Sequence, residues 1–408
     1  MSAITTDAET ASKRRSIGFI NWAHALDHYV MLIYPTVVIG LGVVYGRSYA
    51  ELIALGTASY VAFGVFSLPA GWLGDHWSRR NMLVVFYTGC GLSLLVAGLA
   101  PNLVVLATAL FALGVFAAIY HPVGTAMLIE QATVRGRSLA FNGVCGNVGA
   151  ALAAGITATF VAAFGWRAAF LIPAVVALVS AVIYPRLVPD ERRAAANRTT
   201  IADVPLAAWL AATIFALFVI IALAAGLVFN IVSVALPKIV DERLASQVPL
   251  VLVGGIASAV FMCGALAQIA VGRLVEKFPP HLLFATVGAL QFLGVLWTVN
   301  ATGTTLIVAL AVTMAAIYGQ VTVNDIVIAR YTADAWRGRV YAVRYFLTFV
   351  VSGAAVSIIA VLYGRGGFGL VLGTTAVIAL GFVVATAVIA VLVNGVERER
   401  ARAPAPAE

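Results

Sequence analysis

The chain has 408 residues, of which 62% are hydrophobic and only 10% charged, with a mean hydropathy of +1.02. That balance excludes a water-soluble domain and places most of the sequence in lipid. A net charge of +8 and a pI near 9.6 would suggest a nucleic-acid partner for a soluble protein, but here the placement of the charges decides their meaning.

A hydrocarbon core of about 30 Å needs roughly 20 apolar residues per helical crossing. Runs of that length, separated by charged or Pro/Gly breaks, predict helices at 17–42, 50–74, 81–100, 102–127, 138–164 and 167–185, then at 207–236, 248–272, 282–299, 303–328, 339–363 and 367–394. No run shows the alternation of a membrane barrel strand. The first run follows Lys13, Arg14 and Arg15 but exceeds signal-peptide length and lacks a small-residue cleavage site, so it is expected to be retained as helix 1. Twelve crossings with both termini cytoplasmic put Arg47, Arg167, Lys238, Arg243 and Arg365 outside. The other 20 of the 25 basic residues are then cytoplasmic or, for Arg344, just inside a helix. This bias records topology, and no nucleic-acid partner is expected. Cys90, Cys145 and Cys263 lie within apolar runs without paired or metal-type spacing, and neither a metal nor a cofactor is expected.

The two halves repeat. GWLGDHW (71–77) recurs as GRLVEKF (272–278), aligning Gly71 with Gly272 and Asp75 with Glu276 at an offset of 201. RGR recurs from Arg135 and Arg137 to Arg337 and Arg339 at an offset of 202, and AAIY from 117–120 to 315–318 at 198. A duplicated six-helix unit follows. The expected organisation is a tail at 1–16, a bundle at 17–185, a cytoplasmic linker at 186–206, a second bundle at 207–394 and a tail at 395–408. Two such halves place a binding site near mid-bilayer, with access alternating by rocking.

At GWLGDHWSRRNML (71–83) the sequence resembles the loop between helices 2 and 3 of the major facilitator superfamily: Gly, any residue, Leu, any residue, Asp, then basic residues. The resemblance implies an all-α membrane protein of twelve transmembrane helices in two six-helix pseudo-symmetric bundles, a transporter and not an enzyme, monomeric by default. It also implies a gating role for this loop. Gly71 permits close helix approach, and Asp75 can pair with Arg79, Arg80 or a neighbouring helix end to latch the cytoplasmic side. Gly272 and Glu276 are the degenerate second copy. NWAHALDHYVMLIYP (21–35), YHP (120–122) and GNVGAALAAG (146–155) resemble the fosmidomycin resistance branch, which exports drugs in exchange for protons from the bacterial inner membrane. The chain departs from that branch at Val123, where an acidic residue is expected, and at Ala153 and Ala154, where Gly-Pro is expected.

Charge inside a membrane helix costs roughly 2.5–3.5 kcal/mol on insertion scales, which makes each such residue a functional candidate. Asp27 stands near mid-depth in helix 1, with Asn21, His24 and His28 at helical spacings of three and four. A carboxylate beside two imidazoles can take up and release a proton as the site hydrates and dehydrates; a permanent packing pair is the alternative. His121, beside Tyr120 and before Pro122, is expected to face the cavity or a partner helix. Asn230, Gln320, Asn324, Asp325 and Arg344 supply polar groups on helices that line the cavity in the superfamily. Asp325 with Arg344 reads as an ion-paired latch or as an anionic-substrate site. Gln268 and Gln291 are expected to hydrogen-bond between helices, and Tyr184 to join an interfacial aromatic belt. The sequence holds no HExxH, no Gly-x-Ser-x-Gly elbow and no GxxxxGK[ST] loop, which argues against hydrolase and nucleotide-driven chemistry. The expected cargo is a small organic molecule moved out of the cell with proton coupling; the alternatives are uptake of a small organic acid by symport or uniport, and a non-transporting sensor on the same fold.

Overall fold

A computed structural model describes residues 7–132, 135–190, 207–244, 248–332 and 334–402. Among these, every regular element is helical. Only a helix satisfies all its backbone donors and acceptors within one segment, as lipid requires. The first ten crossings are α1 (Ala11–Tyr45), α2 (Tyr49–His76), α3 (Arg79–Leu99), α4 (Leu103–Gln131), α5 (Ser138–Phe164), α6 (Ala168–Leu187), α7 (Ala208–Arg243), α8 (Leu250–Leu274), α9 (Pro280–Thr298) and α10 (Gly303–Tyr331). The last apolar stretch, Phe346–Gly395, has 50 residues, about 75 Å if straight and far more than one crossing. It breaks at Gly366 and Gly367, and Gly367 adopts φ 59°, ψ −160°, a region closed to a side chain. The break separates α11 (346–365) from α12 (368–395), giving twelve crossings.

Local chemistry sets the breaks and starts. Pro35 cannot donate to the carbonyl of Met31, and α1 is interrupted at Leu32. The Tyr60 hydroxyl donates to that freed carbonyl at 2.9 Å. Pro122 likewise frees the carbonyl of Ala118, where α4 is interrupted immediately before Tyr120. Ser48 and Glu51 form a capping box at the start of α2, while Ser78 and Asn102 cap α3 and α4.

The helices pack into two compact units. The first contains residues up to 198 together with 231–262 and 349–365. Lipid supplies no hydrophobic drive between helices, so close contact relies on small residues. A Cβ on Gly114 would lie 2.0 Å from the Ser59 carbonyl oxygen, one on Gly254 2.5 Å from that of Ala154, and one on Gly353 2.3 Å from Val61. The second unit contains 199–230, 263–348 and 366–408. Its core joins Leu210, Phe218, Phe284, Val323, Phe382 and Ile389, with Phe284 edge-on to Phe382 at 5.5 Å.

Two expectations are corrected. Tyr184 is fully buried, edge-on to Phe19 at 5.3 Å and 5.7 Å from Tyr87, so it belongs to the packing of the first unit and not to an interfacial belt. Gln291 is 1% exposed, and neither of its amide atoms has a hydrogen-bond partner among the described residues; the nearby hydroxyls of Thr313 and Thr386 donate instead to carbonyls of their own helices.

Candidate functional site

The polar stripe of α1 and the break in α4 meet in the first unit. His24 stacks on Tyr120, ring centroids 4.7 Å apart at 23°. His28 is 4.9 Å from His24, and His121 is 5.3 Å from His24 and 5.6 Å from His28. Asp27 is 1% exposed. Its Oδ2 faces His121 Nε2 at 3.5 Å, while its Oδ1 is buried with no hydrogen-bond partner among the described residues. The imidazole opposite the carboxylate therefore comes from another helix, whereas the sequence pointed to His24 and His28. Phe63 and Phe349 stand 5.9 and 5.0 Å from the His121 ring and wall that side with aromatic surface.

Asn142 on α5, which the sequence reading passed over, ties the cluster together. Its backbone carbonyl can only accept, so His24 donates to it from Nδ1 at 2.8 Å, which fixes the tautomer and leaves Nε2 unprotonated. Its side-chain oxygen accepts from Tyr120 at 3.0 Å, and its amide nitrogen donates to Asn21 at 2.9 Å. Asn142, Gly146 and Gly149 share one face of α5. A Cβ on Gly146 would lie 2.5 Å from His24 Nε2, and one on Gly149 only 2.0 Å from the Ala25 carbonyl oxygen. The glycine spacing was the available signal: it brings α5 against α1 and so aims Asn142 at the stripe. Asn21, His24, Asp27, His28, Tyr120 and His121 are thus one constellation.

The remaining candidates lie elsewhere. Asn230 donates back to the Gly226 carbonyl of its own helix at 2.8 Å. In the second unit Arg344, 8% exposed, donates to Asp325. On the same helix as Asp325, the side-chain oxygens of Gln320 and Asn324 are buried without a partner among the described residues.

At the loop between α2 and α3, Arg79 donates to Asp75 at 2.6 Å and also pairs with Glu130 at the end of α4. Arg80 donates to the carbonyls of Pro185 at 2.6 Å and Val188 at 3.0 Å, which end α6, and Ser78 donates to Asp190 at 2.6 Å. A Cβ on Gly71 would lie 3.2 Å from Pro122, so α2 and α4 approach closely there. This loop binds together the ends of α2, α3, α4 and α6. In its second copy Gly272 faces Thr322 and Glu276 is exposed. The side chains of Arg135, Arg137, Arg337 and Arg339, and the linker beyond residue 190, lie outside the described residues.

Residues 17–327 match the sequence profile of the Major Facilitator Superfamily. The chain belongs to that superfamily. Major facilitator proteins are membrane transporters, and this one is a multi-pass membrane protein. It is 33% identical over 126 residues to the multidrug efflux pump LfrA of Mycolicibacterium smegmatis, covering 30% of this chain and 25% of that protein. It is 34% identical over 143 residues to the puromycin resistance protein pur8 of Streptomyces alboniger, covering 34% and 28%. The chain thus matches only about a quarter of the length of these relatives. Among solved structures, a bacterial homolog of the human lysosomal transporter Spinster, in an inward-facing and occupied conformation, superposes with a TM-score of 0.69 at 12% identity, covering 92% of this chain and 93% of that one. The unoccupied inward-facing form of the same homolog gives 0.68. At that identity the likeness is one of fold.

Proposed function

We propose that this major facilitator protein moves a small amphiphilic organic molecule out across the bacterial inner membrane in exchange for protons, with Asp27 as the proton carrier. Its two halves, 17–185 and 207–394, would alternate access to the cargo, with both termini in the cytoplasm. The observation that carries the reading is the Asp27 to His121 pair. A carboxylate that is 1% exposed, with one oxygen unpartnered and the other 3.5 Å from an imidazole, has no permanent counter-charge and can be held neutral or ionised as its surroundings change. The aromatic wall of Phe63, Phe349 and Tyr120 suits an apolar or aromatic cargo, in keeping with relatives named for multidrug efflux and puromycin resistance.

One observation favours a second reading, uptake of a small organic acid: Arg344 is a buried cation within the membrane-spanning region, paired with Asp325, and such a charge can serve an anionic cargo.

Proteoliposomes loaded with a pH dye distinguish these. Puromycin and other cationic drugs added across an imposed proton gradient are expected to produce a drug-dependent proton flux that Asp27→Asn abolishes while folding and membrane insertion persist. Coupled flux at the wild-type rate in Asp27→Asn overturns the assignment. Flux elicited by organic acids and lost in Arg344→Gln supports the second reading.

A further inference from the structure

We propose that His24, His28 and His121 form a binding site for one borderline divalent transition-metal ion such as Zn2+ or Co2+, with Asp27 standing behind His121 as the carboxylate that orients its ring. The chain has five histidines, and three meet here from two helices with their nitrogen donors all within 4.8 Å of one another. His24 and His28 stand at i and i+4 on α1, the spacing that presents two imidazoles to one ion from a single helix face. His121 enters from the break in α4.

The hydrogen bonds around the cluster match what metal ligation asks of its surroundings. A ligating histidine almost always gives its other nitrogen to a carbonyl or a carboxylate. His24 Nδ1 is taken by the Asn142 carbonyl at 2.8 Å, leaving Nε2, and His121 Nε2 faces Asp27 at 3.5 Å, leaving Nδ1. Gly146 lets α5 pack on the face of the His24 ring, where a Cβ would lie 2.5–2.7 Å from Nε2 and its two neighbouring ring carbons.

Zn–N bonds of about 2.0–2.1 Å at tetrahedral angles place donors roughly 3.3 Å apart. One donor atom of each histidine already lies within 4.8 Å of the others, so ligation has to draw them together by at most about 1.5 Å. Three imidazoles with no thiolate select zinc, cobalt, nickel or copper over magnesium or calcium, and leave a fourth position open. The side chain of His121 is 22% exposed, which gives an ion a way in. The proposal concerns binding at equilibrium and does not depend on the direction or coupling of transport.

The test uses the full chain, purified in detergent through an affinity tag that contains no histidine. Titration with Zn2+ is expected to show one ion per chain, and Co2+ to give the intense visible bands of a four-coordinate nitrogen site. His28→Ala and His121→Ala are expected to weaken binding by more than the roughly 10–100-fold typical of losing a supporting group, and Asp27→Asn by about that smaller factor. His76→Ala and His281→Ala should leave it unchanged. Sub-stoichiometric Zn2+ binding, the weak bands of six-coordinate Co2+, or tight binding that survives in all three cluster variants overturns the site. The Co2+ spectrum of the unmodified protein decides the matter even where a variant fails to fold.

Discussion

Two glycines on one helix give opposite expectations for the same substitution. Gly149 faces α1 so closely that an added Cβ would lie 2.0 Å from the Ala25 carbonyl oxygen and 2.7 Å from the carbonyl carbon. These are backbone atoms, so no rotamer change relieves the overlap. An ordinary contact begins near 3.4 Å, and α5 must retreat from α1 by about the difference, 1.4 Å. Overpacking of this kind costs about 1–3 kcal/mol. Gly143, two turns earlier, has nothing within 4 Å of a built Cβ, and Gly→Ala in an open helix position gains about 0.5–1 kcal/mol. The two variants should therefore differ by about 1.5–4 kcal/mol. Thermal unfolding in detergent, followed by tryptophan fluorescence, should show Gly149→Ala melting well below the unmodified protein and Gly143→Ala at or above it. Because Ala25 lies between His24 and Asp27, Gly149→Ala should also lower drug-driven proton flux. Equal melting temperatures would refute the argument that the glycine face of α5 positions the polar cluster.

Three further outcomes follow from named contacts. Asn142→Ala removes the partner of the Tyr120 hydroxyl, a buried group whose orphaning costs about 1–3 kcal/mol, and of the half-buried Asn21 amide oxygen; adding Tyr120→Phe should recover part of the lost melting temperature. Asp75→Asn frees Arg79 from one of its two carboxylates and should slow transport of every substrate by similar factors, whereas loss of one substrate alone would show that the loop is not a gate. Arg344→Gln and Asp325→Asn should each destabilise the second unit by less than the ~3–5 kcal/mol of a fully buried pair, since Asp325 is 38% exposed, and the double variant should recover most of the loss. Additive effects in that cycle would show that the two groups do not act as a pair.

Composition and run length made the fold legible, because lipid admits only helices of a fixed minimum length. The helix ends were less so. α7 extends to Arg243 where the apolar run predicts an end near 236, because an apolar run stops at the first charged residues while the helix continues through Lys238 and Asp241, which pair within it at 2.6 Å. The α1 half of the site was legible for a related reason: Asn21, His24, Asp27 and His28 recur at spacings of three and four, and periodicity within one helix is written in the sequence.

What faces that stripe was not legible. The pairing of Asp27 with His121, and of His24 with Asn142, depends on how near α4 and α5 come to α1, which is set by Gly146, Gly149 and the break before Pro122. The same glycines read in sequence only as a packing ridge, since nothing local says which helix the ridge meets. The loop between α2 and α3 shows the same division. Asp75 and Arg79 were paired from their spacing of four, but Glu130, 51 residues from Arg79, becomes the second partner only because Gly71 lets α2 lie against Pro122 on α4. In both places the sequence names the charged groups on one helix and leaves their counterparts to small residues that carry no chemistry of their own. A search for sites in such chains should therefore treat a small-residue face and a polar stripe as two halves of one signal, and ask which polar residue stands one turn from the glycines; here that residue is Asn142.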